Sequence, residues 1–269
     1  MELSNSDRTS DNDFNIFKKK VKASFGLDLE AYKRPQMERR LRANMEKVGV
    51  DSFAKYFLLL EKDEKLLNDF FDRVTINVTE LFRNPEQFEV LRTKVLPELL
   101  ASNKNLNIWS AGCSLGAEAY TLAILAKEAS PSGKHSILAT DIDDRMLARA
   151  RAGIFSDLEM KNVSKARQFK FFKTVENGFE ATNEIKSIIT FRKHDLLKDR
   201  FSAGYDLIVC RNVVIYFTDE TKYDLYRKFF NSLRPGGYLF VGGTERITDY
   251  SDIGFENSFP FFYRKPNKH

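Results

Sequence analysis

Carboxylates, arginines and a tyrosine gather in three short stretches of this chain. The first is Ile108-Trp-Ser-Ala-Gly-Cys-Ser-Leu-Gly-Ala-Glu-Ala-Tyr120, with Ile137-Leu-Ala-Thr-Asp141 following it. It reads as a short apolar strand, a turn carrying Gly112 and Gly116, and then a helix; its sequel reads as a buried strand ending on a carboxylate. A strand, a glycine turn, a helix and a second strand ending in an acid make the nucleotide-binding half of a Rossmann-like sheet. Glycine lets backbone approach the ligand, and the acid, here Asp141, takes ribose hydroxyls. The spacing is not the G-x-G-x-x-G of dinucleotide binders. Glu118 falls in the first turn of the helix, where the dipole favours a carboxylate. It is a cap-region acid or a holder for the cationic end of a ligand.

The second stretch is Ile76-Asn-Val-Thr-Glu-Leu-Phe-Arg83. Asn77, Thr79 and Arg83 share neither a helix face nor a strand face, as expected of an irregular loop whose polar groups converge; the bland alternative is a helix cap and a surface arginine. The third is Asp206-Leu-Ile-Val-Cys-Arg-Asn-Val-Val-Ile-Tyr-Phe217, an apolar strand that stops at Arg211-Asn212. Ligands of doubly wound sheets sit outside the carboxyl ends of strands, so these residues should face the crevice, with the Tyr216 hydroxyl in reach. Nothing here resembles a metal site, a Ser-His-Asp set or a phosphate loop. His135 and His194 read as polar residues at strand ends, and Cys113 as a small core residue. Chemistry that needs no strong base fits, such as methyl transfer from S-adenosylmethionine to a carboxylate already ionised at neutral pH.

These residues must be positioned by two kinds of architecture. Residues 1–12 are polar and unpatterned and read as a disordered tail. Residues 13–75 are helical in period: Phe53, Phe57 and Leu60 share one face, as do Leu66, Leu67, Phe70, Phe71 and Val74, with breaks at Gly26 and Gly49 and Asp51 as a cap. Residues 76–104 form a linker that includes a helix from Pro85 to about Leu100. Residues 105–269 alternate strands (Ile108–Ala111, Ile137–Thr140, Ile188–Phe191, Asp206–Cys210, Tyr238–Val241, Phe261–Tyr263) with helices (Ala117–Ala129, Asp144–Ala152, Asp219–Leu233). This predicts a mostly parallel sheet covered on both faces. At about 156–187 the rhythm breaks into a small β insertion, with Gln168–Phe172 and Phe179–Thr182 as strands around the hairpin turn Asn177-Gly178. The net charge of +5 permits an acidic partner, and Lys33, Arg34, Arg39, Arg40, Arg42 and Lys47 crowd one stretch. Two cysteines, with no apolar stretch of signal-peptide or membrane-span length, imply a reducing cytoplasm.

Five ordered segments carry a resemblance. They are Asn77–Arg83, Trp109–Tyr120, Thr140–Asp143, Cys210–Phe217 and Arg234-Pro-Gly-Gly-Tyr-Leu-Phe-Val-Gly-Gly-Thr-Glu245. From about Phe14 to Tyr263 the chain resembles the chemotaxis-receptor glutamate methyltransferases of the CheR type. The resemblance implies a Rossmann-like S-adenosylmethionine-dependent methyltransferase sheet of α/β class, with an N-terminal helical bundle and a small β insertion. It implies methyl-ester formation on receptor glutamates, with S-adenosylhomocysteine as product. Carried over by position, Asn77, Thr79, Arg83, Gly112, Glu118, Asp141, Asp195, Leu196, Arg211 and Asn212 would bind the cofactor. Arg83 and Tyr216 would orient methyl donor and acceptor. Arg34, Arg39, Arg40 and Arg42 would dock the cytoplasmic helices of membrane chemoreceptors. The expected protein is a cytoplasmic monomer without metal, nucleic-acid partner, membrane insertion or capture of a receptor tail peptide. The sequence departs from the family pattern at Ala117 and Ala119, where an acid and a proline are usual, at Asp195, where Asn is common, and at Gly243-Thr-Glu245. The rival readings are a nucleic-acid methyltransferase, disfavoured by Arg211-Asn-Val-Val after the fourth strand; a non-catalytic binding module; and an NAD-dependent dehydrogenase, disfavoured by the glycine pattern.

Overall fold

The computed structural model describes residues 5–75 and 79–267. Its contacts divide the chain into two units, Met1–Asn77 with Tyr216–Lys222, and Val78–Ile215 with Tyr223–His269.

In the first unit, helices α1 (Asn5–Phe25), α2 (Arg34–Lys47), α3 (Phe53–Lys62) and α4 (Glu64–Thr75) follow one another. Helix α1 begins inside the stretch in which the sequence shows no pattern. Gly26 and Gly49 leave their helices at φ 75° and 71°, a region glycine enters without steric cost. The cap of α3 is Ser52 rather than Asp51: the Ser52 hydroxyl accepts the Lys55 N–H at 3.3 Å, while Asp51 pairs with the Lys55 ammonium at 2.8 Å. Ser52 holds the position directly before the first helical residue, from which a short side chain reaches the orphan donors. Asp13 of α1 takes the remaining ones, accepting from Phe53 and Ala54 at 2.7 and 3.1 Å. The apolar faces meet around Phe17, whose ring lies 5.2 Å from Phe53, 6.0 Å from Tyr56 and 6.3 Å from Phe70. Burial of each such ring contributes about 1.5–3 kcal/mol, far more than the helices' intrinsic propensities.

The second unit opens with α5 (Pro85–Val90), a π-helical turn at Leu91–Val95, and α6 (Leu96–Ser102), which together form the helix expected from Pro85. Then come β1 (Asn107–Ala111), α7 (Ala117–Ala129), β2 (Ser136–Asp141) and α8 (Asp144–Ala152). The insertion holds β3 (Ile154–Phe155), α9 (Lys165–Phe171), β4 (Phe172–Val175), β5 (Gly178–Ala181) and α10 (Asn183–Lys186). The chain ends with β6 (Ile189–Lys193), β7 (Tyr205–Cys210), α11 (Asp219–Ser232), β8 (Leu233–Val241), α12 (Tyr250–Ile253), β9 (Glu256–Phe259) and β10 (Phe262–Arg264).

Among the described residues the main sheet has the order β6-β2-β1-β7-β8-β10-β9. It is parallel from β6 to β8 and antiparallel beyond. Strand β7 is buried along its whole length, as a central parallel strand covered on both faces must be. Helix α7 is alanine-rich and buried from Ala117 to Ala126, a core helix rather than an amphipathic one. Alternation along β1 sends Trp109 to the face opposite Ile108 and Ser110, where its ring packs on Phe201, Tyr205 and Phe229. The strand order turns back at β1, which has β2 on one side and β7 on the other. The carboxyl ends of β1 and β7 therefore form the topological switch point.

The insertion corrects the sequence reading in one place. Gln168–Phe171 is helical, because Ser164 caps α9 by accepting the Arg167 N–H, and the strand starts only at Phe172. The hairpin stands with its turn one residue earlier than expected, at Glu176-Asn177: β4 and β5 pair with Val175 opposite Gly178. Gly178, at φ 129°, lies so close to the Phe155 carbonyl that a Cβ would collide with it.

Candidate functional site

Loops from four strand ends meet at the switch point. After β1 the backbone turns through Gly112 (φ 82°), Ser114 (φ 48°) and Gly116 (φ 89°), and the Gly112 and Cys113 N–H groups donate to the Thr140 carbonyl at 2.8 and 2.9 Å. Gly112 is required for a reason the sequence reading missed. A Cβ there would lie 2.5 Å from Val213 Cγ2, so the glycine makes room for the loop after β7 as well as for any ligand. Asp141 ends β2 and closes the glycine loop: its Oδ2 accepts the Ser114 N–H at 2.7 Å and its Oδ1 the Asp143 N–H at 2.9 Å. Burial raises the Asp141 carboxyl above its ordinary range, against the pull of these donors. The backbone after β6 runs alongside, the His194 N–H donating to the Asp141 carbonyl at 3.0 Å. It brings Asp195, half-buried, and Leu196, buried, to the same end of the sheet. Asp195 Oδ1 accepts the Leu197 N–H at 2.9 Å.

Glu118 and Arg211 form the buried polar centre. Glu118 Oε1 accepts the Ser110 hydroxyl at 2.7 Å, and Arg211 Nη1 stands 3.7 Å from Glu118 Oε2. Burial pushes the Glu118 carboxyl up, opposed by Arg211 and Ser110. Arg211 is stacked between the rings of Phe88 and Phe240, each 4.8 Å away. Its Nη2 donates to the Arg83 carbonyl at 2.9 Å, Asn84 Oδ1 at 3.1 Å and Gln87 Oε1 at 2.9 Å. One nitrogen of this guanidinium, Nη2, is thus committed to holding the 83–87 turn, while Nη1 faces Glu118. The irregular loop the spacing predicted, described from Thr79 onward, leads into that turn, with Phe82 and Asn84 at φ 53° and 60° and the Phe82 N–H donating to Thr121 Oγ1 at 3.0 Å. Thr79 and Arg83 are half-buried in it; Asn77 lies outside the described residues. Ala117 and Ala119 are fully buried, so their methyl groups fill space in the core.

Glu245 went unassigned in the sequence reading. Its carboxylate is 4% exposed and accepts the N–H groups of Asn212 (2.6 Å), Gly242 (2.8 Å), Val214 (2.9 Å) and Ile215 (3.3 Å). The signal that could have found it is an acid four residues beyond an apolar strand, after two glycines and a threonine. Asn212, at φ 61°, is left-handed.

The two histidines and two cysteines are structural here. His135 Nδ1 accepts the Leu106 N–H at 3.2 Å, and His194 lies against Trp109. Burial raises the thiols of Cys113 and Cys210 well above the usual cysteine value, which keeps them protonated. In the helical unit, Tyr216 accepts the Lys33 N–H on its carbonyl at 2.7 Å, and the Arg40 guanidinium stands 4.5 Å above its ring. Arg34 and Arg42 both bond Glu38, at 3.2 and 2.6 Å, and Arg39 is exposed. Of the docking candidates, Arg40 is thus the one turned onto Tyr216.

Residues 77–259 match the family described as CheR methyltransferase, SAM binding domain, and residues 12–75 match CheR methyltransferase, all-alpha domain. The chain is 41% identical over 254 residues to a chemotaxis protein methyltransferase of Listeria innocua, covering 94% of this chain and 97% of that one. It is 34% identical to chemotaxis protein methyltransferase 1 of Pseudomonas aeruginosa, with 89% and 92% covered, and 33% identical to the chemotaxis protein methyltransferase of Borreliella burgdorferi, with 90% of each covered. No described helix is long and apolar enough to cross a membrane. With one domain matched over the sheet unit, the other over the helices, and relatives aligned along nearly the whole chain, this protein belongs to the CheR family of S-adenosylmethionine-binding methyltransferases.

Proposed function

We propose that the chain esterifies glutamate side chains of chemoreceptors with the methyl group of S-adenosylmethionine. One observation carries the choice of acceptor. Among the described residues, the groups that could serve as a base near neutral pH are packed away: His135 Nδ1 takes the Leu106 N–H, His194 is buried against Trp109, and both thiols are held protonated by burial. An acceptor that arrives ionised, as a glutamate does, needs no such base.

The donor set fits the cofactor. Asp141 lies at the carboxyl end of β2 beside the glycine loop, where a carboxylate oxygen is placed to accept a ribose hydroxyl. Glu118 places negative charge under the glycine loop, where a sulfonium would be stabilised. Asp195 and Leu196 flank the adenine, Arg211 and Asn212 form the floor, and Thr79 and Arg83 contact the cofactor from the linker, a role that family position also gives to Asn77. S-adenosylmethionine, when bound, supplies the electrophilic methyl group. The roles carried over by family position leave Arg83 and Tyr216 to orient the acceptor carboxylate, and Arg34, Arg39, Arg40 and Arg42 to dock the acidic face of receptor helices.

Purified protein incubated with methyl-labelled S-adenosylmethionine and receptor-rich membranes should transfer label to receptors as a base-labile, volatile ester. Base-stable label, or label on nucleic acid, would refute this reading, and binding without transfer would favour a non-catalytic module.

A further inference from the structure

The backbone from Asn212 to Ile215 turns sharply out of β7 and into a 3-10 turn that starts at Val214. Asn212 is left-handed at φ 61°, and Val213 is pressed against Gly112. The N–H groups of Asn212, Val214 and Ile215 all point to one place, and the carboxylate of Glu245 occupies it. Glu245 reaches there from a turn after β8, in which its own N–H donates to the Gly242 carbonyl at 2.9 Å and the Gly242 N–H returns to its carboxylate at 2.8 Å. A Cβ on Gly242 would collide with Glu245 Oε2, so any larger residue there would push the carboxylate out of its place. The hydrogen-bond partners of this carboxylate among the described residues are backbone groups of two loops that follow adjacent strands.

We propose that Glu245 is a positioning residue, which fixes the loop after β7 so that Asn212 meets the cofactor. It acts through that loop and does not touch the ligand itself. The inference rests on the assignment of Asn212 to S-adenosylmethionine. An ionised carboxylate accepts on two oxygens, whereas a glutamine would turn an NH2 toward donors that need an acceptor. Glu245→Gln should therefore release the loop on one side while leaving side-chain volume unchanged.

The test is the affinity for S-adenosylhomocysteine, measured by calorimetry on the full chain, with melting temperature alongside. Glu245→Gln should weaken binding about tenfold, the loss expected for a charge-assisted hydrogen bond. Asn212→Gly, which tolerates the left-handed backbone, should weaken it too, and the double variant should bind no worse than the weaker single one, because both act through one group. If Glu245→Gln fails to fold, Gly242→Ala keeps the carboxylate, displaces it, and carries the same cycle. Unchanged affinity in a folded variant, or losses that multiply in the double variant, would overturn the positioning role even if Asn212→Gly weakens binding. A silent Asn212→Gly would remove Asn212 from the site and this inference with it. Neither result bears on the glutamate acceptor, since no receptor is present.

Discussion

Asp141 has one task that its hydrogen bonds show and a second, toward the cofactor, that we propose. It ends β2 where a ribose would lie, and it also holds the glycine loop shut through Ser114 and Asp143. Removing it should therefore do more than delete a ligand contact. Asp141→Ala is expected to weaken S-adenosylhomocysteine binding by roughly tenfold or more in a calorimetric titration, since charge-assisted hydrogen bonds of about 1.5–3 kcal/mol are lost. It should also lower the melting temperature, because two buried N–H groups lose their acceptor. Unchanged affinity in this variant would take Asp141 out of the site. Arg211 shows the same economy. It was expected on the floor of the site, and most of its hydrogen bonds go to the 83–87 turn.

Among the elements, the loop after β1 is the most constrained. Gly112 combines φ 82° with the close approach of Val213, so Gly112→Ala meets both backbone strain and a clash. Gly49, at φ 71° but in open space, meets strain alone. Urea unfolding should show Gly112→Ala more destabilised than Gly49→Ala by about 1–3 kcal/mol. Equal losses would mean that Val213 yields freely. Helix α2 is less basic on its surface than in its sequence, because Glu38 absorbs Arg34 and Arg42. Arg39→Glu with Arg42→Glu should nonetheless raise the apparent KM for receptor and leave cofactor affinity unchanged, with the wild-type KM itself rising as salt shortens the Debye length to ~3 Å at 1 M. Normal receptor methylation by that double variant would give the helix some other task. Arg40 is left out of this test because it stacks on Tyr216.

On the scale of the whole molecule, the insertion bears on how the enzyme finds its receptors. Its sheet has the order β3-β5-β4, so the outer strands are Ile154–Phe155 and Phe172–Val175. An added peptide strand takes its affinity from main-chain hydrogen bonds along an exposed edge, and such short outer strands offer few. A chain that lacks a tether docks without the millimolar effective concentration a short flexible linker provides, and that is what we propose for this one. Titration with receptor tail peptides should accordingly show no binding in the micromolar range; a micromolar complex would assign the insertion a capture role.

Much of this was legible from local signals. Helices α7 and α8 begin and end at the expected residues, Ala117–Ala129 and Asp144–Ala152, because a glycine turn or an aspartate cap marks each start within a few residues of chain. The strands of the parallel sheet declared themselves as apolar runs, and Asp141 and Glu118 were readable because their positions follow from the strand–turn–helix unit alone. The misread segment, Gln168–Phe171, has an alternating pattern that a serine cap overrode. What the sequence could not determine is which distant groups share a charge or a hydrogen bond. Arg211 and Gln87 are 124 residues apart, and Glu245 and Asn212 are 33 apart. Tyr216–Lys222, read as part of the sheet domain, belongs by its contacts with the helices. Such partnerships leave no periodic trace in a sequence, because they arise only when the parallel sheet brings the ends of its strands, far apart along the chain, to one edge.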